Sequence, residues 1–178
     1  MGIYPDCPAI TRTIEVGGLT SLQLRLKLQQ QSILLNEYAQ VLLSDEDFTT
    51  SNIKYILKTV DLRVTDLGFP NGATLPQIFD RAIKLGLELC PIELGPHLRL
   101  MYLDQPEGHR ERLSQQHTAP SGSITIASNV VKEDDLFPKG FYLSNINGVL
   151  WLRGYTADNQ HIWNPCDHFI FCQTMNLY

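Results

Sequence analysis

"GFYLSNINGVLWLRGY", residues 140–155, sets Asn147-Gly148 between two alternating apolar segments. Asn and Gly tolerate the two left-handed backbone conformations of a type I′ turn, so this dipeptide between strand formers signals a two-residue β-hairpin. Ile146 then faces Val149. Counting away from the turn puts Ser144 opposite Trp151 and Tyr142 opposite Arg153. Side chains alternate across a strand. Phe141, Leu143, Leu150 and Leu152 therefore share one face, the expected core face. Tyr142, Ser144, Ile146, Val149, Trp151, Arg153 and Tyr155 share the other.

Further strands are expected on both sides of the hairpin. "SITIAS" (123–128) is one, and "HFIFC" (168–172), entered through an Asn164-Pro165 turn, is another. Within 55–69, Val60, Leu62 and Val64 alternate with Asp61, Arg63 and Thr65, again a strand period. "PHLRLMYL" (96–103) also alternates and reads as a strand. His97 and Arg99 would then project together, away from Leu98, Leu100 and Tyr102.

Three helices carry start signals. Thr20 with Gln23 forms a capping box, and so does Thr74 with Gln77. Leu22, Leu24, Leu26 and Leu28 alternate like a strand, but the Gln, Lys and Arg between them favour a helix. Asn36 caps a helix with Tyr38, Val41 and Leu42 along one face. Pro76 suits the first turn of the third helix, and Gly86 suits its stop. Pro5, Pro8 and Gly17-Gly18 mark residues 1–18 as an extended lead-in. Residues 19–178 read as one α+β domain: N-terminal helices followed by a mainly antiparallel sheet with one helix packed against it. Residues 104–122 are polar and rich in turn formers, and are expected to be disordered.

The chain has 178 residues, 43% hydrophobic and 19% charged, enough for a single core without metal or disulfide support. A net charge of −5 argues against nucleic acid, and residues 20–44 offer only Arg25 and Lys27 to a helix-turn-helix reading. No apolar run approaches the roughly 18 residues that span a bilayer. The first residues lack a basic and apolar leader, and Asp6 breaks the myristoylation pattern. With four cysteines read as reduced thiols, the expected location is cytoplasmic. Phosphate-binding loops, the Gly-x-Ser-x-Gly elbow and His-Glu-x-x-His are absent from the sequence.

His161, Cys166, His168 and Cys172 crowd one segment, but His168 and Cys172 on one strand lie about 13 Å apart, too far for one ion. No metal and no cofactor are expected. A Cys166 nucleophile with His168 fails similarly, since sequence adjacency does not bring a base to the thiol. The acidic runs at 45–47 and 133–135 read as solvated surface.

Three segments, "LNEYAQVLLSDEDF", "DLGFPNGATLPQIFDRAIKLGLELCPIELGPHLRLMYLDQP" and "GFYLSNINGVLWLRGYTADNQHIWNPCDHFIFC", resemble a family of small uncharacterised bacterial proteins. The resemblance covers roughly residues 33–172 apart from the polar loop. It implies one compact bacterial domain and carries no mechanism.

Function is expected on the second face of the hairpin. Tyr, Trp and Arg are enriched in binding hot spots, which makes Tyr142, Trp151, Arg153 and Tyr155 candidate binding residues. His97 and Arg99 join them if their strand neighbours the hairpin, forming an anion pocket with Arg153. Two plainer arrangements stand beside this. The N-terminal helices could cover that face with Arg153 paired to an acid, or His97 and Arg99 could be solvent-facing. The expected activity is a small non-enzymatic binding or interaction module that uses this aromatic and Arg-bearing face or the 104–121 loop. Its partner would be an unidentified protein or small molecule, or a second copy in a homo-oligomer. The alternative is a small hydrolase- or transferase-like enzyme with a His/Arg pocket, His97, Arg99, Arg153 and His161 standing around a cleft.

Overall fold

Local signals set the helix starts. Thr20 and Thr74 each accept a hydrogen bond from the backbone N–H of the glutamine three residues on, and each threonine N–H donates in return to that glutamine's side-chain oxygen. The computed structural model describes residues 2–108 and 121–174. Its helices are α1 (Ser21–Gln30), α2 (Glu37–Ser44), α3 (Leu75–Lys84) and α4 (Leu94–Met101). Its strands are β1 (Ile10–Val16), β2 (Leu34–Leu35), β3 (Tyr55–Arg63), β4 (Ala73–Thr74), β5 (Leu87–Glu88), β6 (Ile124–Ile126), β7 (Gly140–Ile146), β8 (Val149–Tyr155), β9 (Ile162–Trp163) and β10 (His168–Gln173).

The alternating leucines of α1 resolve by helical period. Leu24 and Leu28 are inside, whereas Leu22 and Leu26 face solvent. In α2 the buried face is Ala39, Leu42 and Leu43, with Tyr38 and Val41 exposed, so the helix is rotated from the expected face.

The main sheet runs β1-β3-β10-β6-β7-β8-β2, with β5 beside β10. The β10–β6 and β8–β2 pairs are parallel, and the rest are antiparallel. β4 and β9 form a separate ribbon. The hairpin has the register read from its turn, Ile146 with Val149, Ser144 with Trp151 and Tyr142 with Arg153. Asn147 and Gly148 both have positive φ, 54° and 79°, as the turn requires.

The architecture is α+β, with the sheet buried on both sides. One core gathers α1, α2 and α4 against Ile14, Phe141, Leu143, Leu152 and Ile170. The other gathers α3 and the β4–β9 ribbon against Val60, Leu62, Tyr142, Phe169 and Phe171. Two expectations are corrected here. More than one helix packs on the sheet, and a strand precedes the first helix. β1 lies within the presumed lead-in, pairs with β3 over its whole length and buries Ile14 and Val16, so the domain begins before residue 19.

A third correction concerns "PHLRLMYL", most of which is α4 rather than a strand. Pro96 falls in the first helical turn, where a missing N–H costs nothing. Leu94 and Leu98, one helical turn apart, are both fully buried. Gly95 lies so close to Phe141 that a Cβ would meet its ring at 2.5 Å, which only glycine avoids. Of the polar 104–122 segment, residues 109–120 lie outside the described residues.

Candidate functional site

The hairpin places Tyr142, Trp151, Arg153 and Tyr155 on one face, and the N-terminal helices cover the opposite face. Tyr142 and Tyr155 are nevertheless buried in the second core, Tyr155 edge-on to Trp163 at 5.4 Å. Burial raises the pKa of both phenols. Trp151 and Arg153 remain half-exposed. The Arg153 guanidinium lies 5.2 Å from the Trp151 ring and 5.6 Å from the Tyr142 ring, within cation–π range. Its Nε is buried without a hydrogen-bond partner, and among the described residues Arg153 makes no ion pair. Leu34, paired with Trp151, and Val149 add exposed apolar surface beside it.

His97 and Arg99 do not join this patch. Two residues apart on a helix point roughly 200° apart, so α4 sends them in different directions. His97 lies against β1, where its Nε2 accepts the Gly17 N–H at 3.1 Å. Burial lowers its pKa, and it lines an open cleft of about 350 Å³ with Glu15 and Lys27. Arg99 is fully buried. Its Nη1 donates to Gln105 Oε1 at 2.6 Å, to Trp151 O at 3.2 Å and to Ser144 O at 3.3 Å, and its Nη2 donates to Tyr102 O. Gln105 passes the network on to the carbonyls of Gly122 and Leu143, both at 3.1 Å. Burial brings the Arg99 pKa down to about 10, which still leaves it charged at neutral pH. Arg99 thus clamps the hairpin backbone from inside. The anion pocket of His97, Arg99 and Arg153 does not form.

A different cluster does form, at the β1–β3–β10 junction. Asp61 sits with its side chain 3% exposed, and its Oδ1 lies 2.7 Å from His168 Nδ1. On its other side, Arg12 Nη1 lies 3.5 Å from Oδ2, with its guanidinium 4.7 Å above the Tyr102 ring. Arg63, directly across from His168, grips Asp66 through Nε at 3.1 Å and Nη2 at 2.9 Å. Burial pushes Asp66 upward, but those hydrogen bonds outweigh it and leave its pKa lowered. His168 is 38% exposed, and its hydrogen bond to Asp61 raises its pKa above 6.5 against the opposing effect of burial.

The sequence offered one weak signal for this cluster. His168 stands out as a possible ligand, but Asp61 is one of several acids and lies 107 positions away. Among the described residues no group of three or more His, Cys, Asp or Glu side chains is arranged for a metal ion, and no helix is long and apolar enough to cross a membrane. No protein-family model matches the chain, and neither a curated protein nor a solved structure matches it at a significant level.

Proposed function

We propose that the protein is a small binding module whose recognition surface is the Trp151–Arg153 patch of β8. The observation that carries this is Arg153 itself. A cation held between two aromatic rings, with no carboxylate partner among the described residues, offers free charge at a pre-organised position. Exposed Leu34 and Val149 beside it favour a partner that is acidic and apolar together, namely a short protein segment carrying both. A cytoplasmic setting belongs to this proposal, in keeping with the free Cys7, Cys90, Cys166 and Cys172. So does kinship with the small bacterial proteins, which rests on the quoted motifs alone.

Selection of a random displayed-peptide library against the full chain tests it. The expected winners combine Asp or Glu with aliphatic residues, and Arg153→Ala and Trp151→Ala each weaken them by about tenfold or more. A selection without enrichment, or winners indifferent to both substitutions, overturns the proposal. A complex of two copies of the chain that blocks the winners makes the partner a second copy.

A further inference from the structure

The pairing of β3 with β10 brings a buried carboxylate, Asp61, against a part-exposed imidazole, His168. An ionised carboxylate only accepts hydrogen bonds, so Asp61 holds the neutral His168 ring as the Nδ1–H tautomer. Nε2 then carries the lone pair, on a side chain 38% exposed. This is the relation of an orienting acid to a general base. Arg63 stands directly across the strand pair from His168, with β-carbons roughly 4.5–5.5 Å apart at such positions. Asp66 occupies its Nε and Nη2, and Nη1 makes no hydrogen bond among the described residues.

Charge narrows the substrate. The groups facing His168 are Asp61 and Arg63 on β3, Asp66 on the adjoining turn and Asp167 before it in the chain, with Arg12 reaching Asp61 from β1. With a neutral imidazole, two arginines oppose three carboxylates when Asp167 is ionised. A phosphate dianion is repelled by that balance. An uncharged ester is not, because it develops its single negative charge only at the transition state.

We propose that His168, oriented by Asp61, is the general base of a hydrolytic site for uncharged carboxylic esters, with Arg63 Nη1 facing the developing oxyanion. Nε2 removes a proton from water as the water oxygen bonds to the carbonyl carbon and the π pair moves onto the carbonyl oxygen. Collapse of that oxyanion breaks the bond to the alcohol oxygen, which takes the proton back from Nε2–H. The products are the acid and the alcohol, with water as the only co-reactant. This site lies apart from the Trp151–Arg153 patch and stands or falls separately.

The test is hydrolysis of p-nitrophenyl butyrate by the full chain across pH 5.5–9. Saturable turnover is expected, with kcat/KM rising through an inflection above 6.5 as His168 loses its proton. His168→Gln removes the base and should lower kcat/KM by about 10²-fold or more. Asp61→Asn keeps an acceptor for Nδ1–H but no charge, so the inflection moves to lower pH. His161→Gln, at an exposed imidazole outside the cluster, controls for simple surface catalysis and should leave the rate unchanged. Non-saturable hydrolysis, or equal rates for the native chain and a folded His168→Gln, overturns the proposal. Folding of that variant is read by circular dichroism.

Discussion

Arg99 and Asp61 are both buried charges, and they are buried in opposite ways. Arg99 is itself fully buried and enclosed by four oxygen acceptors, three of them backbone carbonyls. Asp61 is shared between the Arg12 guanidinium and the His168 ring, and His168 keeps an open edge. A charge whose partners are all internal fixes geometry, here by tying α4 to the β7–β8 hairpin. A charge whose partner is half-exposed can influence a proton outside the core. Burial alone therefore does not mark a functional site. What distinguishes the two centres is whether the hydrogen-bond network ends inside the protein or at its surface.

The largest effect is expected at Arg99. Arg99→Met removes the donor and strands the acceptors around it, which should cost about 3–5 kcal/mol in urea unfolding. A cost below about 1 kcal/mol would break the comparison, because the centre would then not be the clamp its geometry implies. Asp61→Asn should cost less, about 2 kcal/mol, since Arg12 is partly exposed and still lies over Tyr102. Its sharper effect is electrostatic. Loss of the carboxylate charge should lower the His168 pKa, followed by the imidazole signals in an NMR titration. An unchanged pKa would mean that Asp61 does not control His168.

The smallest effect is a pH slope. The folded pKa of His168 lies above its unfolded value near 6.5, so its stabilising contribution is complete below 6.5 and is lost as pH rises through the folded pKa. His97 has the opposite sign. Its folded pKa is depressed, so its contribution is present above 6.5 and is lost as pH falls through the folded value. His168→Gln should therefore flatten the decline of Tm on the alkaline side of 6.5 and leave the acid-side decline in place. A Tm curve unaltered by the substitution would separate His168 from the ionised Asp61.

What could be read in advance was short-range. The hairpin register follows from Asn147-Gly148 because a two-residue turn leaves one way to count, and β7 and β8 pair accordingly. The caps at Thr20, Asn36 and Thr74 rest on side chains satisfying backbone groups three residues away. The misread segment, 96–103, failed for a physical reason. Leu98, Leu100 and Tyr102 fit a strand period, while Leu94 and Leu98 fit a helical one. The tertiary structure made the choice: the helix buries both Leu94 and Leu98 and sets the bare backbone of Gly95 against Phe141. With that choice the supposed His97/Arg99 face came apart, and with it the pocket. Likewise β1 carries turn formers on both flanks, and β3 supplies the hydrogen-bond partners that make it a strand.

The sequence by itself determined the local starts and turns, the absence of a long apolar span, and the shared face of Trp151 and Arg153, because each depends on residues a few positions apart. The tertiary structure alone decided that Tyr142 and Tyr155 are core, that Arg99 is a clamp, and that Asp61 meets His168. Those outcomes depend on which strands become neighbours. Pairing between strands distant in sequence is set by the packing of two separate cores against one sheet, and no interval along the chain records it.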